Sequence, residues 1–379
     1  MYSRITRASI TVCALIFATC ALSAPLTAQS PSANYELETV NDTLHYPWSV
    51  AFLPNGEFLI AERSGQLVRL SADGTTKTVI GGVPDSYVAN QGGFFDIILH
   101  PDFETNNRVY LSYAHGSADA NGTGVITAIL GDHALLQSEL ILLVETVKDT
   151  AVHYGGRLLF LPDGTLLVAT GDGFEYREKA QDIGSELGKV LRVMDDGTAA
   201  PDNPFKDAPG QGGARVWTYG HRNPQGLALN GDTGAVYLHE HGPRGGDELN
   251  ILQSGNNYGW PAITRGVDYS GAHVSPFTEL DGMEQPEWYW VPSIGPSGLA
   301  WYGGQAFPDW HGDLFVGALI NKEVRRLDME GGKVVAEESL FGEIGERIRD
   351  VRSAPDGYLY ILTDSNKGKL IRVIPKNRK

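Results

Sequence analysis

Short apolar stretches alternate with polar turns along most of the chain, and no helical spacing of apolar residues is sustained. That pattern predicts many short strands. A degenerate unit recurs within it, an apolar residue, a Pro-Asp or Asn-Gly turn and a second apolar run. It reads Leu53-Pro54-Asn55-Gly56, Leu99-His100-Pro101-Asp102, Leu161-Pro162-Asp163-Gly164, Leu229-Asn230-Gly231-Asp232, Phe307-Pro308-Asp309 and Ala354-Pro355-Asp356-Gly357. Proline presets φ, Asp or Asn bonds the local backbone and glycine takes positive φ, so each unit reads as a hairpin turn. The six units lie 46 to 78 residues apart, room for a four-stranded blade and a variable loop. The expected fold is an all-β, six-bladed β-propeller of four-stranded antiparallel blades over residues 47–379. An irregular β-sandwich competes, since such turns occur in any β protein.

Residues equidistant from a hairpin turn are cross-strand neighbours. His153 and Asp172 lie ten residues before and nine after Asp163, and so meet at the blade end away from the turn. Arg222 and Asn223 stand likewise opposite Gly242 and Pro243 around Asp232, while Arg347 and Arg349 precede Asp356 by nine and seven residues. Three blades thus bring a histidine, an aspartate, three arginines and an asparagine to one mouth, where propellers commonly bind ligands. A histidine oriented by a carboxylate suits proton abstraction, and several arginines suit a ligand with carboxylates. Nicotinamide chemistry is excluded by the lack of a strand, glycine-rich turn and helix unit.

Composition adds direction. A chain of 379 residues with 42% hydrophobic and 20% charged residues can bury a large core, and 46 glycines suit a turn-rich fold. Its net charge of −16 argues against nucleic acid as a partner. Residues 1–28 read as a secretory signal: Arg4 and Arg7, an apolar run from Ile10 to Leu22, then small residues to Ala28. The run is too short for a membrane span, so a periplasmic or secreted protein is expected. Cys13 and Cys20 both fall inside this signal, which leaves the exported chain without disulfides. Cys20 also fits a weak lipoprotein pattern. Residues 29–46 read as an N-terminal extension.

Several blocks carry a family resemblance. They are Asn90-Gln91-Gly92-Gly93-Phe94, His153-Tyr154-Gly155-Gly156-Arg157-Leu158, Thr170-Gly171-Asp172, Gly220-His221-Arg222-Asn223-Pro224-Gln225-Gly226 and Glu240-His241-Gly242-Pro243. Further along come Gly246-Asp247-Glu248-Leu249-Asn250, Asn257-Tyr258-Gly259-Trp260-Pro261 and Arg347-Ile348-Arg349-Asp350-Val351. Together the blocks resemble the soluble quinone-dependent aldose sugar dehydrogenases, which oxidise sugars with pyrroloquinoline quinone (PQQ) and calcium. The resemblance implies His153 as catalytic base, Asp172 as its orienting partner and Arg222 as a stabiliser of charge on the quinone. It implies Gln91, Asn223 and His241 as further cofactor contacts, with Arg347 and Arg349 on the carboxylates. The carbonyls of Gly242 and Pro243 would bind one calcium, and Glu248, the region of Tyr258 and Asp268 a second, structural one. An aldose would be the substrate and an external cytochrome or quinone the electron acceptor.

The sequence departs from the family where many relatives carry a lysine that reaches the cofactor: here Ile320 follows Gly317-Ala318-Leu319, and Lys322 comes two positions later as a candidate substitute. Val152 stands where some relatives have an acidic residue. Trp288, Tyr289 and Trp290 read as a stacking wall for a sugar ring, with core packing as the alternative. Two other readings compete, a non-catalytic binding propeller and a calcium-dependent lactonase propeller. The second needs carboxylates and asparagines converging on one channel metal, whereas the inferred channel is rich in Arg and His.

Overall fold

A computed structural model describes residues 35–144, 147–208 and 212–376 of the chain. The expected signal and both cysteines lie outside the described residues. Six four-stranded antiparallel sheets follow one another around an axis, and the six-bladed expectation holds. The first five blades run in chain order over 47–80, 94–143, 155–219, 224–290 and 296–340. The sixth combines 348–375 with Tyr35–Leu44, which pairs with Gly368–Pro375 as the outermost strand. The segment expected as an N-terminal extension is therefore largely propeller. Its alternation of exposed and half-buried positions is that of an edge strand, which the turn repeat could not reveal.

In every blade the recurring turn joins the innermost strand to the second. The cores lie between blades. Leu59, Ile97 and Leu111 fill the junction of the first two; Leu158, Leu166 and Tyr110 fill the next. Leu167, Leu227 and Leu238 join the third and fourth blades. Each buried leucine of this kind contributes about 2 kcal/mol by its removal from water.

One irregularity recurs in all six blades: the innermost strand slips register against the second near the end away from the turn. The slip inserts one residue, Trp48 in the first blade, Gln225 in the fourth and Arg349 in the sixth. A bulge bends the strand and re-aims the added side chain. Here all three bulged side chains face the same cavity.

Below that cavity the channel is closed by ions. Arg157 of the third blade pairs with Asp350 of the sixth at 2.9 Å and stands 3.7 Å from Asp96 of the second. Arg352 bonds Asp96 at 2.6 Å and Asp350 at 2.8 Å. Arg157 also donates to the Gln225 carbonyl of the fourth blade at 2.6 Å and lies 4.1 Å over the Trp48 ring of the first. One guanidinium thus joins its own blade to four others. Among the described residues no helix is long and apolar enough to cross a membrane.

Candidate functional site

All six blades supply the walls of a cavity of about 230 Å3 at the channel mouth. Its aromatic part is Trp48, Phe95 and Tyr154; its cationic part is Arg63, Arg347 and Arg349. Arg347 and Arg349 both reach Asp364 Oδ2, at 3.0 and 3.1 Å. Against the upward push of burial, these two arginines hold the Asp364 carboxyl below its usual range. With three arginines and one aspartate the wall keeps a positive excess, and the aromatic faces fit a flat ligand.

Gln91, Asn223 and His241, the further cofactor contacts expected from the resemblance, line this cavity. Asn223 Oδ1 accepts from the Gly155 amide at 3.3 Å. His241 Nε2 donates to the Pro296 carbonyl at 2.7 Å, and burial holds its imidazole neutral, down to about 3.

The His153–Asp172 pair stands beside the cavity, tied to it by Gln91, whose Oε1 accepts the His153 amide at 2.8 Å. His153 Nδ1 lies 2.7 Å from Asp172 Oδ1. The carboxylate accepts, so Nδ1 carries the hydrogen and Nε2 keeps its lone pair. Asp172 Oδ1 also accepts the Phe174 amide at 2.8 Å, and Oδ2 accepts Trp260 Nε1 at 2.7 Å. Burial drives the His153 proton affinity down; the Asp172 contact opposes this, while Arg222 and Lys148 add to it. Asp172 is held below its range by His153 and Arg222 despite its burial. The ring is therefore neutral and the carboxylate ionised at neutral pH. His153 takes a left-handed φ of 51°, and a Cβ at Gly171 would stand 2.2 Å from the His153 carbonyl, so only glycine admits this approach.

Arg222 bridges the dyad to the fourth blade. Its carbonyl accepts the Asp172 amide at 2.8 Å, and its guanidinium donates to Gly242 O at 2.6 Å and His241 O at 3.1 Å. Gly242 thus faces a cation already, so its carbonyl with that of Pro243 supplies no negative charge for a calcium. Glu248 and Tyr258 do line one small cavity together with Arg222, Glu240 and Gly242. Burial and the neighbouring Glu240 push the Glu248 carboxyl up to about 8, the mark of an acid short of a cation. Tyr258 turns its hydroxyl away to the Ile251 carbonyl at 2.8 Å and offers that cavity no side-chain oxygen. Asp268 is not brought there: it sits in an exposed turn, where its carboxylate accepts from Ser270 N and Oγ at 2.8 and 2.6 Å. Among the described residues no three His, Cys, Asp or Glu side chains gather as a metal centre.

Two expectations are corrected. Trp288–Trp290 is the fourth strand out from the axis, roughly 14 Å from the innermost at the usual strand spacing. Trp290 is buried against the fifth blade, its Nε1 on Glu337 at 2.7 Å, Trp288 packs on the same core and Tyr289 is exposed, so none of the three forms a wall of the cavity. Neither Ile320 nor Lys322 lines the cavity; Leu319 does. Ile320 is 58% exposed, and Lys322 closes an exposed turn at φ 59°.

Sequence reasoning missed four residues here. Trp260 orients Asp172, although it lies inside a quoted block. Lys148 is buried behind the dyad. Phe174 and Tyr269 form an exposed aromatic pair with centroids 6.3 Å apart, Phe174 edge-on to His153 at 5.2 Å and Tyr269 6.0 Å from the Arg222 guanidinium. The loops bearing them are clamped by a reciprocal amide pair, Gln181 with Asn257, at 2.9 and 2.8 Å.

Comparison with known proteins gives a consistent picture. A family model described as Glucose / Sorbosone dehydrogenase matches residues 44–372. The aldose sugar dehydrogenase YliI of Escherichia coli K12 is 41% identical over 351 residues, covering 91% of this chain and 94% of its own. A solved glucose dehydrogenase superposes with a TM-score of 0.86 at 46% identity, over 89% of this chain and 99% of its own. The PQQ-bound form of an aldose sugar dehydrogenase from Streptomyces coelicolor superposes with a TM-score of 0.75 at 27% identity, over 91% and 99% of the two chains.

Proposed function

Since the chain belongs to the glucose/sorbosone dehydrogenase family, oxidoreductases acting on sugars, we propose that it is an exported PQQ- and calcium-dependent dehydrogenase that oxidises aldoses to lactones. The observation that carries this reading is the His153–Asp172 pair at 2.7 Å, set beside an aromatic cavity walled by three arginines. Such a wall fits a planar tricarboxylate. Arg63, Arg347 and Arg349 would hold its carboxylates, Gln91, Asn223 and His241 its polar edge, and Trp48 and Tyr154 its faces.

When bound, the quinone supplies the two-electron acceptor for the hydride that leaves the sugar CH–OH carbon. The chain does the rest. His153 Nε2 takes the hydroxyl proton as that hydride departs, and Asp172 stabilises the imidazolium that forms. Arg222 offsets negative charge developing nearby, and Trp260 keeps Asp172 aimed. The protein then returns the proton to water, and an external cytochrome or quinone takes the electrons. Calcium would use the carbonyls of Gly242 and Pro243 once cofactor oxygens add negative charge there. A second ion would neutralise Glu248 beside the Tyr258 backbone, with Asp268 as a ligand only if its turn rearranges.

The lactonase alternative is disfavoured because the channel carboxylates Asp96 and Asp350 are committed to arginines. Reconstitution of apo-protein with PQQ and calcium, followed by dye reduction with a panel of aldoses, tests the proposal. Quinone binding without turnover of any aldose would overturn it in favour of a binding propeller.

A further inference from the structure

Lys148 is 2% exposed, yet among the described residues no carboxylate lies within ion-pairing distance of its ammonium. The ammonium donates to Asn121 Oδ1 at 3.0 Å and to the Thr150 carbonyl, and lies 3.5 Å from the centre of the Tyr154 ring. Tyr154 OH shares the same acceptor, Asn121 Oδ1, at 2.7 Å. Tyr154 follows His153 in the chain and lines the cavity. On the other side, a Cβ at Gly173 would stand 2.7 Å from Lys148 Cδ, so the lysine stem lies against the residue that follows Asp172. Thr150 Oγ1 bonds the Gly173 carbonyl at 2.6 Å. One side chain therefore braces the residues next to both members of the dyad.

An apolar side chain of similar length would fill this space without the cost of burying a charge. The charge itself needs an account. Four groups face the His153 ring electrostatically: Asp172, Arg222, Lys148 and His241. Asp172 favours the imidazolium and the cations oppose it. Lys148 in turn is faced by Asp172 and Asp149, whose carboxylate accepts from Tyr176 OH at 2.8 Å. Burial draws the ammonium down to about 7, so it is charged on the acid side, where a base is in danger of protonation.

We propose that Lys148 is a positioning residue of the base, fixing the spacing of His153 and Asp172 through Tyr154 and Gly173 while its charge keeps the resting His153 ring unprotonated. The proposal rests on the dehydrogenase reading for its catalytic meaning but not for its electrostatics. Lys148 trims the basicity that Asp172 confers, so the ring is free to accept a proton and sheds it afterwards.

The test is an NMR titration of His153 in apo-protein, with the acid limb of kcat/KM measured in reconstituted protein. Lys148→Met should raise the His153 midpoint by about half a unit or more, because a like charge has been removed. The acid limb should move up with it while KM for the sugar stays put. Lys148→Arg, which keeps the charge, should leave the midpoint in place. Lys148→Gln keeps a donor for Asn121 and reads the same shift should the Met variant fail to fold. A His153 midpoint unchanged in the neutral variants, however much activity they lose, overturns the proposal. A parent that oxidises no aldose overturns the dehydrogenase reading instead, and the NMR shift still decides the role of Lys148.

Discussion

The indole nitrogen of Trp260 lies 2.7 Å from Asp172 Oδ2, so a loop of the fourth blade holds the carboxylate that pairs with His153 of the third. Trp260→Phe removes that donor and leaves a buried carboxylate oxygen unpaired. The loss should cost about 1.5–3 kcal/mol of stability, as for a hydrogen bond to a charged group. It should also lower kcat more than it changes KM, which denaturant unfolding and steady-state kinetics check.

His153→Gln removes the proposed base and leaves the cavity walls intact. Turnover should fall at least about a hundredfold, the scale of a positioned general base, while titration shows the quinone still bound. A near-native rate would shift the role to Asp172.

Glu248 makes stability depend on pH in an unusual sense. Its folded value of about 8 exceeds the ordinary 4.5, so between those limits the folded state binds more protons than the unfolded. This contribution is present at low pH and lost as pH rises through about 8. Apo-protein should therefore lose Tm as pH rises across that window, and calcium should restore it at the alkaline end. Glu248→Gln should flatten both responses in a thermal-shift series.

Phe174 and Tyr269 offer two exposed rings beside His153, and on the dehydrogenase reading the C–H face of the sugar would stack there. Phe174→Ala should raise KM for the best aldose by roughly fivefold or more, about 1 kcal/mol of lost stacking, with quinone affinity unchanged. Kinetics with a sugar panel and a quinone titration separate the two effects.

Lys322 is an exposed turn residue outside the cavity lining. Lys322→Ala should leave quinone affinity as it is, whereas Ile320→Lys should tighten it only if the turn swings inward. Calorimetric titration at fixed calcium reads both.

The sequence disclosed the repeated turns because Pro, Asp and Gly are tied to particular φ values, and hence the blades and the mouth at which polar residues meet. Cross-strand counting brought His153 to Asp172 since that hairpin is short and its turn tight. It could not foresee that register slips in every innermost strand would turn Trp48 and Gln225 toward the cavity, since a bulge has no fixed residue type here. Nor could it place Trp260 or Tyr269, which arrive on a long loop whose course depends on tertiary bonds such as the Gln181–Asn257 pair. The Trp288–Trp290 stretch misled because aromatic strands look alike whether they face a ligand or a neighbouring blade.

The sixth blade is assembled from both ends of the propeller, with Tyr35–Leu44 laid along Gly368–Pro375. Its consequence is one of timing. The strand made first waits for the strand made last, and until they meet both keep open edges that invite pairing with other chains. The same blade carries Arg347 and Arg349, so the grip on a carboxylate ligand is completed only when the ring shuts. Clipping at Tyr35–Leu44, more than three hundred residues away in sequence, should be felt as a loosened ligand before it is felt as a lost fold.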